Sequence, residues 1–153
     1  MLKPKDYIDV KGGELTFGQR IGLGKILASE DDVLIKSINV IECLHGFRPK
    51  YKQLVKLQEY ILSIIEGIRF WVEQESTMLK YDPTPEEVKA GIKDLSEKIG
   101  EFGTVKALAK AYNTDPDVIL KWKYGKIFGI LYTDLEESKF SRRFQKVIES
   151  KVK

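Results

Sequence analysis

The sequence has few of the residues that most often build catalytic and metal sites. Its 153 residues include one cysteine, Cys43, and one histidine, His45. A single thiol excludes an intramolecular disulfide framework and a multi-cysteine zinc site. Residues two apart on a helix point to different faces, so this Cys and His are poorly placed as a nucleophile–base pair. We expect Cys43 to be a buried structural thiol, and we predict a non-enzymatic protein that needs no cofactor and no metal.

The sequence also lacks a strong charge of one sign and a long apolar run. The net charge is +3, with 42% hydrophobic and 32% charged residues, which suits a globular domain with a sizeable core. A nucleic-acid footprint over the whole domain needs a stronger basic excess. No run approaches the roughly 20 apolar residues that span a bilayer, and the N-terminal segment has no apolar signal core. We therefore expect a soluble, cytoplasmic protein that makes no membrane contact.

The sequence does contain a repeated helix-start signal. A Ser or Thr followed three residues later by an acid or Gln can cap a first helical turn. Five such pairs occur, at Thr16/Gln19, Ser29/Asp32, Thr84/Glu87, Thr114/Asp117 and Thr133/Glu136. Asp115, which directly precedes Pro116, is an alternative cap for the helix that the fourth pair predicts. The signals predict an all-α compact bundle of six to seven helices, over 17–28, 30–45, 50–79, 85–101, 104–112, 116–131 and 134–150. A short β-hairpin around Gly12 and Gly13 is a further interpretation of the N-terminal segment.

A Pro-Thr-Pro sequence at 83–85 marks a linker or elbow. It predicts an N-terminal helical lobe, 1–79, and a C-terminal helical lobe, 85–153, although one continuous bundle also fits the pattern. Beyond the elbow, apolar residues step by four and three at Val88, Ile92, Leu95, Ile99 and Phe102. This narrow seam is typical of near-parallel helix packing. Because two heptads are few for a coiled coil, we expect the seam to pack on the core of the same domain.

Residues 104–131, TVKALAKAYNTDPDVILKWKYGKIFGIL, have the spacing of a helix-turn-helix. Leu108 and Ala109 would contact the second helix, and Asn113 would take the left-handed turn position. Val118 would anchor the second helix. This pattern leaves DNA binding open as an alternative function, that of a regulator or packaging subunit.

The charge at the turn argues against DNA. Asp115 and Asp117 would bring two carboxylates to the phosphate backbone, and the second helix carries no Arg, Asn or Gln placed to read base edges. The residues that would contact nucleic acid in this alternative are Lys121, Lys123, Lys126, Arg142, Arg143 and Lys146.

The second helix continues into the apolar run WKYGKIFGIL, which favours contact with protein. Gly125 and Gly129 each weaken a helix by about 1 kcal/mol relative to Ala, which makes sense where another helix approaches closely. Packing within the domain is slightly favoured over a partner surface. The C-terminal segment KFSRRFQKVIESKVK predicts a basic amphipathic helix. It fits a solvated outer helix, a nucleic-acid or membrane contact, or a docking helix for an acidic partner.

Residues 104–148 combine a helix-turn, an acidic-proline turn, WKYGKIFGIL, an acidic break and FSRRF. This pattern resembles the helical tail assembly chaperones of long-tailed phages. The resemblance implies a helical protein that coats a tape-measure protein and recruits tail-tube subunits. The leading hypothesis is therefore a non-enzymatic phage or prophage protein that binds tape-measure or tail-tube proteins in the host cytoplasm during virion tail assembly, and that self-associates. A structural virion component is a further alternative. The resemblance implies protein binding through Trp122, Tyr124, Phe128, Leu131, Phe140 and Phe144.

Overall fold

The computed structural model describes residues 1–152, which fold almost entirely into helices. A single 3₁₀ turn at Pro4–Asp6 comes first. The α-helices are α1 (Phe17–Ala28), α2 (Val33–His45), α3 (Tyr51–Lys56), α4 (Gln58–Met78), α5 (Pro85–Lys89), α6 (Ile92–Ala111), α7 (Pro116–Lys121) and α8 (Tyr124–Val152). The predicted all-α fold is therefore confirmed.

The predicted N-terminal β-hairpin is wrong. The backbone turns at Gly13, whose N–H donates to the Val10 carbonyl, and the segment after the turn then pairs with a distant part of the chain. The Phe17 N–H donates to the Trp122 carbonyl at 2.8 Å, and the Tyr124 N–H donates to the Leu15 carbonyl at 2.7 Å. The return contact with residues 7–10 stops at Glu14, whose N–H donates to the Asp9 carbonyl at 3.1 Å. Because Leu15 and Phe17 pair with residues 122–124 instead, no hairpin ladder forms.

Local capping chemistry determines where several helices begin. Thr16 and Gln19 bond reciprocally at the start of α1, and Thr84 and Glu87 do so at the start of α5. Asp32 caps α2 by accepting from the Ile35 N–H at 2.9 Å. The other predicted starts, at Ser29, Thr114 and Thr133, are not used. Ser29 instead closes α1, and Asp115 caps α7.

Several predicted helix boundaries are also wrong. The helix expected over 50–79 breaks at Leu57, and the break expected near residue 102 lies at Gly100, which has φ 48°. The helix expected over 116–131 ends at Lys121, because Trp122 is extended where it pairs with the N-terminal segment. From Tyr124 one helix then runs through Thr133, whose hydroxyl donates to the Gly129 carbonyl one turn earlier.

The hydrophobic core takes residues from both sides of the Pro83–Pro85 elbow. Helix α1 packs against α2 and α7, and α6 packs against α7. The largest fully buried side chains are Leu15, Leu23, Val40, Ile41, Leu57, Ile64, Ile119 and Ile127. On α8 the buried residues end at Phe128, so most of this 29-residue helix, about 44 Å long at 1.5 Å per residue, lies outside the core.

Candidate protein-interaction surface

The first turns of α8 are held by an aromatic cluster. The Trp71 ring on α4 lies edge-on to Tyr124, with ring centroids 5.0 Å apart, and 5.2 Å from Phe128. The indole N–H of Trp71 donates to the Val10 carbonyl at 2.7 Å. Tyr124 and Phe128 are both buried. Their predicted role on a partner surface is therefore replaced by packing within the chain, which fixes the start of α8.

A polar cluster reinforces this attachment. Arg20 on α1 binds the Glu75 carboxylate through two nitrogens, at 3.1 and 2.8 Å. The Tyr124 hydroxyl donates to the same carboxylate. Burial raises the pKa of Tyr124, and acceptance by Glu75 raises it further. The phenol therefore stays protonated, and its hydrogen bond links α8 to α4.

Trp122 and Leu131 are half-buried, so each retains some contact with solvent. The Trp122 ring lies edge-on to Tyr112, with centroids 5.2 Å apart, and Lys126 Nζ lies 3.9 Å from its centroid. Leu131 borders the cleft between α6 and α8. Leu131 thus lies near the boundary between the core and the projecting part of α8, whereas Trp122 lies between α7 and the first residue of α8.

The C-terminal part of α8 is open to solvent throughout. Every residue from 140 to 152 is exposed, including Phe140 at 61% and Phe144 at 55%. The two rings stack with centroids 6.0 Å apart. We call the apolar stripe of Phe140, Phe144, Val147 and Ile148 the outer α8 face. Two of the six residues predicted to bind protein, Phe140 and Phe144, lie on it.

The outer α8 face points away from the body of the protein. A helix turns about 100° per residue, so the nine residues from Leu131 to Phe140 correspond to a rotation of about 180°. The opposite side of the helix carries Arg142, whose guanidinium donates to the Tyr81 hydroxyl at 2.7 Å and lies 3.6 Å from the Glu87 carboxylate. The elbow therefore supports one side of α8, and the rest of residues 1–152 leaves Phe140 and Phe144 uncovered.

The seam predicted to pack on the core is also exposed. Ile92 is half-buried, whereas the other members are open to solvent at Val88, Leu95, Ile99 and Phe102. The reason is the break at Gly100, whose ψ of −143° interrupts the helix before α6 reaches the core at Val105. Residues 92–99 therefore extend beyond the packed part of the domain.

The helix-turn-helix spacing corresponds to a real helical corner, formed by α6 and α7. Leu108 and Ala109 are buried as expected, and Asn113 has the left-handed φ of 49°. The anchor of the second helix is Ile119, fully buried, whereas Val118 is 41% exposed. This second helix has six residues and begins with the cap Asp115. A nucleic acid that approached this corner would meet a short helix whose first turn is acidic.

The six cations proposed for nucleic-acid contact do not form one patch. Lys126 and Lys146 are separated by about 30 Å along α8. Lys123 pairs with Glu14, and Lys126 lies over Trp122. Arg142 contacts Tyr81 and Glu87 at the elbow, and it is exposed, as are Lys121, Arg143 and Lys146.

Other chemical sites are scarce in the described part of the chain. Residues 1–152 contain no group of three His, Cys, Asp or Glu side chains arranged to hold a metal. The half-buried Cys43 has its Sγ 3.9 Å from the Gln19 carbonyl, and burial raises its pKa. Within the same residues, none of the helices combines the length and apolar character needed to cross a bilayer.

No protein-family model matches this chain, and no curated protein or solved structure shows significant similarity to it. The geometry of the outer α8 face and the chemistry of its residues are therefore the basis for a functional proposal.

Proposed function

We propose that this chain is a non-catalytic protein that binds other proteins through the outer α8 face. The observation that carries the proposal is the direction of that face. The stripe bearing Phe140 and Phe144 lies on the side of α8 opposite the core and the elbow. Two exposed phenylalanines in one stripe are typical anchors for a partner groove, because large aromatic side chains contribute much of the energy of protein interfaces.

Protein is a better partner for this face than nucleic acid. A duplex would contact the basic side chains and leave the apolar stripe in water, whereas a protein groove can bury the stripe and pair with its flanking cations. Lys139, Arg143 and Lys146 each directly precede an apolar residue of the face. The resulting basic edge favours a partner groove that is apolar at its floor and acidic along one side.

The resemblance to tail assembly chaperones supports a more specific proposal. The chain would act in the assembly of a phage or prophage virion tail, in the host cytoplasm, with a tape-measure or tail-tube protein as partner. Incorporation into the virion would instead make it a structural component. Purified particles distinguish the two roles, because a chaperone leaves the finished tail and a structural protein stays in it.

The experiment is a pull-down of tail proteins encoded near this gene, using the full chain as bait. The double variant Phe140→Ser/Phe144→Ser should lose the partner while keeping its fold, because both side chains are exposed. The matched control is Phe102→Ser, which removes an exposed Phe from α6. Loss of the partner in the double variant alone supports the proposal. Equal retention in all three proteins, or no capture by the unmodified chain, would overturn it.

A further inference from the structure

A second apolar surface lies at the other end of α4. Between α2 and the α3–α4 segment runs a groove of about 540 Å³. Leu54 and Ile61 form its buried floor, and its exposed walls carry Val33, Val55 and Leu62. The α8 of the same chain does not fill this groove, because its first turn contacts the opposite end of α4, at Trp71 and Glu75.

We infer that this groove binds the outer α8 face of a second copy of the chain. A groove between helices is the usual receptor for an amphipathic helix with anchors at i, i+4, i+7 and i+8. Phe140, Phe144, Val147 and Ile148 have this spacing. The chain thus carries both an apolar groove and an exposed helix of the kind that fits one. This inference rests on the proposed role of the outer α8 face in binding protein.

Charge complementarity favours a second copy as the occupant. Glu59 and Glu66 on α4 flank the groove wall at Leu62, are exposed, and make no ion pair within residues 1–152. They are seven residues apart, which places them on one side of the helix two turns from each other. Lys139 and Lys146 are also seven residues apart, along one edge of the outer α8 face. If α8 of one copy runs parallel to α4 of the next, this spacing pairs Lys139 with Glu59 and Lys146 with Glu66, and this is the register that we infer.

The remaining charges are compatible with this register. Lys139 already pairs with Glu136 at 3.4 Å, but both side chains are more than 40% exposed. Such surface pairs contribute little and exchange readily. Glu137 lies on the same side of α8 as the outer α8 face, one turn before Phe140, and the exposed lysines on α3 are Lys52 and Lys56. The acidic residue of α8 that enters the groove region can therefore find a lysine beside it.

The contact is head-to-tail, because the helix of one copy enters the groove of the next. In a pair joined by one such contact, one copy keeps an unused groove and the other keeps an unused helix, so assembly continues into a ring or an open chain. The same contact covers the outer α8 face. A tail protein that uses this face must then compete with self-association.

The test is light scattering on size-fractionated protein over a range of concentrations. The mass of the unmodified chain should rise with concentration above the monomer mass of 17.6 kDa. Phe140→Ser/Phe144→Ser removes the helix anchors, and Val55→Asp/Leu62→Asp removes the groove walls. Each variant alone should stay monomeric, whereas their equimolar mixture should form a species of about twice the monomer mass. Phe102→Ser is the matched control and should assemble like the unmodified chain.

Mixing is decisive because two defective chains can restore a contact only when it joins two different surfaces, here the outer α8 face and the groove. A mixture that remains monomeric, or an unmodified chain that is monomeric at every concentration, would overturn the inference. If partner capture is still lost in Phe140→Ser/Phe144→Ser while all chains stay monomeric, the proposed function stands and the self-association fails.

A charge exchange tests the register. Lys146→Glu and Glu66→Lys should each weaken assembly severalfold, and the chain carrying both changes should regain most of it, because the pair is restored with reversed sign. Additive weakening in the double variant would exclude the proposed register. Circular dichroism on every variant checks that the helices remain intact.

Discussion

Arg20 on α1 and Glu75 on α4 form a two-pronged ion pair between residues 55 positions apart in the sequence. Their side chains are only 12% and 29% exposed. The same carboxylate accepts the hydroxyl proton of Tyr124. One acidic side chain therefore joins three helices at the start of α8, and the direction of the projecting helix depends on it.

Removing the acid should destabilise the fold. In Glu75→Ala the Arg20 guanidinium loses both hydrogen bonds in a largely buried position, and the Tyr124 hydroxyl loses its acceptor. We expect the free energy of unfolding to fall by about 2 to 3 kcal/mol, less than for a fully buried pair because Glu75 is partly hydrated. Urea denaturation of the full chain measures this change.

The control for that measurement is an exposed ion pair on α6. Lys98 and Asp94 lie 3.0 Å apart with side chains 71% and 69% exposed. Asp94→Ala should change the free energy of unfolding by less than about 0.5 kcal/mol. Similar losses in Glu75→Ala and Asp94→Ala would contradict the role assigned to the Arg20 contact.

The turn between α6 and α7 gives a second prediction. Asn113 has φ 49°, a conformation that glycine adopts freely and that asparagine tolerates better than β-branched residues do. Asn113→Gly should therefore leave the melting temperature nearly unchanged, whereas Asn113→Val should lower stability by about 1 to 2 kcal/mol. Thermal unfolding by circular dichroism separates the two. Equal melting temperatures for both variants would show that the turn does not require this conformation.

The features that sequence analysis predicted correctly depend on nearby residues. The caps at Thr16, Thr84 and Asp115 need only an amide two or three residues away, and the turn at Asn113 follows from the residue's own conformational preference. The basic amphipathic character of the last helix is likewise visible in its spacing. Such signals survive because tertiary contacts do not compete with them.

The features that were missed depend on residues far apart in the chain. The break at Trp122 exists because the backbone there pairs with residues 15–17, more than one hundred positions earlier. The partnership of Arg20 with Glu75 has no local signal. The burial of Tyr124 and Phe128 follows from Trp71, whose position becomes known only when α4 is placed against α8. The periodicity of the sequence identified these aromatic residues, but it did not show whether they are buried or exposed.

His45 at the end of α2 gives a prediction for pH. Its Nε2 lies 2.8 Å from the Tyr60 hydroxyl, which accepts from the Ile8 N–H at 3.0 Å. The hydroxyl proton is then available for an unprotonated Nε2. Burial lowers the pKa of His45, and the Asp6 carboxylate opposes part of this effect. The folded protein therefore favours the neutral ring.

The sign of the pH effect follows from proton counting. The unfolded chain takes up a proton on His45 near the ordinary pKa of about 6.5, and the folded chain takes it up at lower pH. Stability is complete above about pH 6.5, falls as the pH decreases below that value, and levels off below the folded pKa. Urea denaturation between about pH 7.5 and about pH 5.5 should show a smaller loss in His45→Gln than in the unmodified chain. Identical pH dependence in both would exclude His45 as its source.

Gly67 and Gly129 lie inside α4 and α8, and an added methyl group meets different surroundings at the two positions. At Gly67 a Cβ would lie 2.7 Å from Val10 Cγ1 and 2.9 Å from the Lys11 nitrogen, whereas at Gly129 nothing among residues 1–152 beyond its own helix backbone lies within 4 Å. Alanine stabilises an open helix position by up to about 1 kcal/mol relative to glycine, so Gly129→Ala should raise the melting temperature. Gly67→Ala should lower stability by about 1 to 3 kcal/mol, because it displaces the N-terminal segment that accepts the Trp71 N–H. Thermal unfolding of the two variants should give shifts of opposite sign, and a rise in both would show that the N-terminal segment does not cross α4 at Gly67.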